Sequence, residues 1–161
     1  MTITDNTQKW KNEYGDALLR AMERIGLQGE KYAIKLVPTR TTTLKQSITH
    51  KVIPDEPAAI IGTDNEYAAY VELGTGRFKE GGGGRPGWWV YVKGGSGGGG
   101  DRGTGKIYTR EQAAQVVAIL RSKGLDAYMT EGQEPQPFLR PAAKDHMGTY
   151  LNIIKDELGE G

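Results

Sequence analysis

Between Ile61 and Phe78 an apolar strand end passes through a polar turn into a short helical stretch carrying Tyr67, Tyr70, Val71 and Leu73. That stretch stops at Gly74-Thr75-Gly76. A helix this short does not hold itself together, because nucleating its first turn is costly and few residues follow to offset that cost. It has to be held by packing. Tyr67, Tyr70 and Val71 stand three and four apart and so share one helical face, which predicts a plug inserted between other elements. Ala68 and Ala69 fall on other faces, where their small size permits close approach. Gly74 and Gly76 are expected to end the segment by supplying left-handed or extended backbone around Thr75.

The elements that would hold such a plug lie on both sides of it. From Thr7 to Leu36, Trp10, Tyr14, Ala17, Leu18, Ala21, Met22 and Ile25 recur at three and four, the pattern of an amphipathic helix. Gly26 and Gly29 interrupt it, predicting one helix with a weak point or two in succession, the second with Tyr32, Ala33, Leu36 and Val37 before Pro38. Thr41 to Ile53 is rich in β-branched residues, and Ala58 to Gly62 is a compact apolar run. Pro54-Asp55-Glu56-Pro57 between them reads as a turn, so the pair predicts an antiparallel hairpin. Near the other end, Met147, Leu151, Ile154 and Leu158 are spaced for one buried helical stripe, with Pro141 where a first turn tolerates proline.

Most of the chain's 24 glycines fall between Lys79 and Lys106. Gly81 to Gly84 and Gly97 to Gly100 order themselves with difficulty, since glycine loses the most backbone freedom on folding. Trp88-Trp89-Val90-Tyr91-Val92 stands between these tracts as a strand-like island, which predicts a β-excursion with mobile tips. Ile107-Tyr108 is a candidate return strand. Thr109 with Gln112 forms a capping box for a helix whose apolar face is Ala113, Ala114, Val116, Val117 and Leu120, closed by Lys123-Gly124. Leu125 to Thr130 reads as a strand. A chain of 161 residues with 37% hydrophobic content can bury one real core. The expectation is therefore one α+β domain spanning 1–161. Amphipathic N-terminal and C-terminal helices pack on a small, mostly antiparallel sheet, with a strand-helix-strand insert at about 86–132 and a glycine-rich loop.

Chemistry is sparse. Twenty-one basic and 20 acidic residues leave a formal charge of +1, which argues against a general nucleic-acid or membrane-surface binder. No cysteine is present, fitting a reducing compartment, and Met1 to Lys11 is polar, so no signal segment is expected. His50 and His146 lack partners at metal-ligand spacing and are expected to be structural or solvent-exposed. Gly100 to Lys106 has phosphate-loop spacing, but Ile107 stands where a magnesium-binding hydroxyl is needed and no strand precedes it. Asp64, Glu66 and Glu72 read as helix-end charges, with Glu72 paired to an Arg or Lys elsewhere. Arg40, Lys45, His50 and Lys51 read as a solvated basic strand edge. No catalytic residue, cofactor or metal is expected.

Three blocks carry a resemblance: Leu44-Lys45-Gln46-Ser47-Ile48, then Tyr67 to Thr75, then Gln136-Pro137-Phe138-Leu139-Arg140-Pro141-Ala142. In this order they resemble the neck and tail-component proteins of long-tailed bacteriophages. With the leading and closing helices they cover most of the chain outside Phe78 to Gly132. The family's Asp-Thr-Gly turn before the first block is replaced here by Arg40-Thr41-Thr42. The resemblance implies a structural virion protein of the head-tail junction, a neck or tail-completion subunit without catalysis or cofactor, assembled in the bacterial host cytoplasm. Its implied partners are copies of itself in a homo-oligomeric ring, a hexamer, and the neighbouring head-closure and tail proteins. It implies no membrane contact, and DNA only as cargo passing through the lumen. Expected subunit-interface residues are Trp88, Trp89 and Tyr91 of the aromatic island, burying against a sister subunit, with Tyr67, Tyr70, Glu72, Phe138 and Arg140 of the blocks. The alternative reading takes Trp88 to Thr130, around Leu120, Gly124 and Ala127, as similar to half of a sporulation-related cell-wall glycan-binding module.

Overall fold

A computed structural model describes residues 7–38, 42–93, 102–103 and 105–159. The fold is α+β, with the order α1 (Thr7–Leu36), α2 (Thr42–Ser47), β1 (Ile48–Ile53), β2 (Ala58–Thr63), α3 (Ala68–Leu73), a 3-10 turn (Gly76–Phe78), β3 (Trp89–Val92), β4 (Arg102–Gly103), α4 (Arg110–Ser122), β5 (Ala127–Thr130), α5 (Leu139–Lys144) and α6 (Met147–Leu158). The chain forms two compact units, 1–68 with 137–161, and 69–136. Among the described residues no helix is long and apolar enough to cross a membrane.

In the first unit α1 runs unbroken through Gly26 and Gly29. The buried residues along it, Ala17, Ala21, Gly26, Gly29 and Ala33, recur at intervals of three to five and are all small. The two glycines are places of close approach, not breaks. A Cβ on Gly26 would lie 2.3 Å from Cδ2 of His50, and one on Gly29 would lie 2.1 Å from Cδ1 of Ile61. Each glycine costs about 1 kcal/mol of helix propensity against alanine, and the hairpin docks in the space they leave. Tyr14, expected inside, is exposed. The side chain of Trp10 and the turn at Arg40-Thr41 lie outside the described residues.

The hairpin forms as expected, with β1 and β2 antiparallel and His50 opposite Ile61. The first half of the expected strand is instead α2, which buries Leu44 and is tied by the Ser47 hydroxyl to the Leu44 carbonyl at 3.0 Å and to the Thr63 hydroxyl at 2.6 Å. β-branched composition reports fitness for a half-buried pleated surface, not a backbone rule. His50 projects from β1 onto α1. Its Nδ1 lies 2.7 Å from Glu30 and its Nε2 3.2 Å from Glu23, so it is an anchored structural group and not part of a solvated basic edge. His146 stacks on Tyr32 with ring centroids 3.4 Å apart.

The last helix is in fact α5 and α6. Of the expected stripe of α6, Ile154 and Leu158 are half-buried and Met147 and Leu151 are exposed, while Tyr150 and Ile153 are buried. Tyr150 reaches Gly29 of α1 and tilts against the Tyr32 ring, and at the surface Arg20 and Arg24 pair with Glu157 at 3.1 and 2.8 Å.

In the second unit β3 is the central strand of a three-stranded antiparallel sheet, order β4-β3-β5, with Val90 opposite Met129 and Tyr91 opposite Tyr128. α4 starts on the expected capping box, Thr109 and Gln112 exchanging bonds of 3.0 and 3.3 Å, and packs on the sheet around Val90, Ala113, Val117 and Ala127. Tyr108 pairs with Trp88 by reciprocal backbone bonds of 3.0 and 2.7 Å. The aromatic island is therefore the middle of a sheet and not a detached finger. Gly97 to Gly100, half of the expected mobile arms, lie outside the described residues.

Two outcomes follow for stability. Gly15 has open space around a would-be Cβ, so Gly15→Ala should raise stability by up to about 1 kcal/mol. Gly26→Ala should lower it, because overpacking against the His50 ring, about 1–3 kcal/mol, outweighs the propensity gain; thermal melts of the two variants should move in opposite directions. The carboxylate of Glu30, and behind it Glu23, raise the pKa of His50 above its ordinary value. That contribution is full below about pH 6.5 and is lost as pH rises through the raised folded value. Arg24 and then Arg20 depress the pKa of Glu157, so its contribution is present above about pH 4.3 and is lost as pH falls through the depressed value. Melting temperature should fall as pH is raised above 6.5 in the parent and respond less in His50→Gln.

Candidate assembly surface

The Tyr67–Thr75 block is entered through a turn built from side chains. Thr63 Oγ1 accepts the Asn65 amide at 3.1 Å, and Asn65 Oδ1 accepts the Tyr67 amide at 2.9 Å. α3 then buries Ala68, Val71 and Glu72, while Tyr67 and Tyr70 are 46% and 56% exposed. The expected plug is thus reversed. Both triplets have helical spacing and both contain Val71, and the inward one is the triplet with alanine, whose small side chain allows the helix to approach its support closely.

Past α3 the backbone is locked. Gly74 and Gly76 take positive φ values of 73° and 59°, as expected for the end of the segment. The Thr75 amide donates to the Gln133 carbonyl at 2.9 Å, the Gln133 amide donates to the Thr75 hydroxyl at 2.9 Å, and the Arg77 amide donates to the Glu131 carbonyl at 2.9 Å. No side chain fits between these strands of backbone. A Cβ on Gly74 would lie 2.7 Å from the Gln133 carbonyl oxygen, and one on Gly76 would lie 2.2 Å from that of Glu131. Gly84, at the end of the glycine tract, closes on Gly76, while Gly81 to Gly83 have open space around them. An ion pair between Arg77 and Glu131 at 3.2 Å reinforces the join.

This frame carries an open cavity of about 340 Å³, whose walls include Tyr70, Leu73, Gly74, Gly76, Lys79 and Arg85. Arg85 is fixed by a bond to the Gly105 carbonyl and lies 5.5 Å above the Trp89 ring. Among the described residues no three acidic or histidine groups are placed to hold a metal ion.

The expected interface residues divide by exposure. Tyr67, Tyr70 and Arg140 are at the surface. Trp88, Trp89 and Tyr91 are half-buried within the chain: Trp88 packs on the α4 cluster beneath the Arg110 guanidinium, Trp89 lies beneath Arg85, and Tyr91 stacks on Tyr128. Glu72 is 7% exposed and Phe138 is fully buried, so neither side chain has surface to offer a partner. Membership of a sequence block says nothing about which face a residue takes. Lys79 and Arg85, which give the cavity its charge, were not singled out in the sequence. Their only signal was position, on either side of the Gly81–Gly84 tract.

Gly74→Val should destabilise the fold by about 2 kcal/mol or more, from the left-handed backbone and the collision with the Gln133 carbonyl combined; an unchanged melting temperature would contradict the turn described here. Compared with known proteins, the chain matches no family model, no curated protein and no solved structure, so its own residues carry the functional reading.

Proposed function

We propose that this chain is a structural subunit of the head-tail junction of a long-tailed bacteriophage, assembling with copies of itself into a ring that joins or completes the tail, with a role in shape and not in catalysis. The reading starts from the three sequence blocks, of which Tyr67–Thr75 is the most distinctive. The observation that carries it further is how that block is built. Its backbone is locked by hydrogen bonds and glycine fit, while Tyr70 stands 56% exposed at the edge of an open, cation-bearing cavity. A large aromatic side chain presented on a rigid support is the kind of residue that anchors protein interfaces, because little conformational freedom remains to be lost on binding. Trp88, Trp89 and Tyr91 contribute only the parts of their rings that the α4 unit leaves uncovered, a smaller share than a free finger would give.

Purified protein viewed by negative-stain microscopy should show rings or short tubes. Tyr70→Ala should reduce their number without loss of helical circular dichroism. Particles no larger than a monomer at any concentration would overturn the reading, and co-sedimentation with purified peptidoglycan through 88–130 would replace it with a cell-wall contact.

A further inference from the structure

We propose that the cavity beside Tyr70 is a socket for the tip of the β1–β2 hairpin, Pro54-Asp55-Glu56-Pro57, of a second copy of this chain. The inference rests on the ring reading above and names the contact that would propagate the ring.

The cavity is formed before anything enters it. Its floor is the backbone of Gly74 to Gly76, held by the bonds to Glu131 and Gln133 and by the close approach of Gly84. At about 340 Å³ it falls within the roughly 300–1,000 Å³ range of sites that enclose a ligand. Its side-chain lining is apolar at Ala69, Tyr70 and Leu73 and cationic at Lys79 and Arg85, with no acidic residue among the lining groups. A complementary occupant is a compact segment with an apolar body and carboxylates.

The hairpin tip has that composition. All four tip residues are exposed, and the strand register continues up to Ile53 opposite Ala58, so the loop projects directly from paired backbone. Two prolines fix φ on either side of the carboxylates of Asp55 and Glu56, so little loop entropy is lost on docking. The acidic pair Asp156 and Glu157, by contrast, is engaged by Arg24 and Arg20 within its own unit. Tip and socket are different surfaces, so each copy offers one of each. That is the heterologous, head-to-tail contact from which rings or open filaments are made.

The test is a charge swap on the full chain, with association read by analytical ultracentrifugation. Lys79→Glu with Arg85→Glu makes an acidic socket, and Asp55→Lys with Glu56→Lys makes a basic tip. Each variant alone should sediment as a monomer, and an equimolar mixture should regain the wild-type assembly, because every tip then meets an opposite socket. Wild-type association should also weaken as salt is raised. Arg85 also holds Gly105, so Lys79→Glu alone provides a second variant that leaves that bond intact; it should weaken association about tenfold with an unchanged melting temperature. If both double variants assemble as the wild type does, or if both fail and the mixture does not recover, the socket is wrong and the ring reading stands. A wild-type protein that remains monomeric throughout overturns both.

Discussion

At Gly76 three stretches of backbone come so close that none has room for a side chain: the 3-10 turn itself, the Glu131-Gly132 segment, and Gly84 at the end of the glycine tract. The candidate surface of the second unit is built on this crossing. It fixes the direction in which α3 ends, forms the floor of the cavity, and holds the chain that leads from β5 toward α5 against Thr75. Backbone hydrogen bonds between Thr75, Arg77, Glu131 and Gln133 satisfy groups that close packing removes from water. The glycines allow the approach and the hydrogen bonds make it favourable; neither would suffice alone.

The first unit applies the same principle with a helix. α1 presents a face of alanine and glycine, and the hairpin and α6 come in against it. Small size makes room there for the His50 ring and the end of Ile61, while the larger Tyr32 of α1 stacks on His146 and tilts against Tyr150. Polar contacts at the margins add to this: His50 sits between Glu23 and Glu30, and Glu157 pairs with Arg20 and Arg24. Packing holds the elements together, and a few directed contacts choose among the arrangements that packing would allow.

On the proposed ring reading, emphasis shifts from the aromatic island to the block that precedes it. A central strand with neighbours on both sides and a helix across one face has most of its adhesive surface committed. Tyr70, on a six-residue helix clamped at its end, is 56% exposed. A surface that is rigid, partly apolar and locally charged suits a contact that must be repeated identically around a ring, where an error of a few degrees per subunit would prevent closure.

The sequence by itself determined the elements whose signals are local. The capping box at Thr109, the proline-bounded hairpin turn, the helical period of α1 and the glycine stop after Leu73 all depend on neighbours in the chain, and all were legible. It did not determine which stripe of a helix faces inward. Tyr67 and Tyr70 against Ala68 and Val71, and Met147 and Leu151 against Tyr150 and Ile153, are pairs of stripes with equal period, and the choice between them belongs to the element on the other side. It also could not separate a glycine that breaks a helix from one that admits a neighbour, because Gly26 and Gly29 acquire their meaning only when His50 and Ile61 arrive. The cavity is the extreme case: its lining comes from 69–85, its rigidity from 131–133, and only long-range backbone pairing brings the two together.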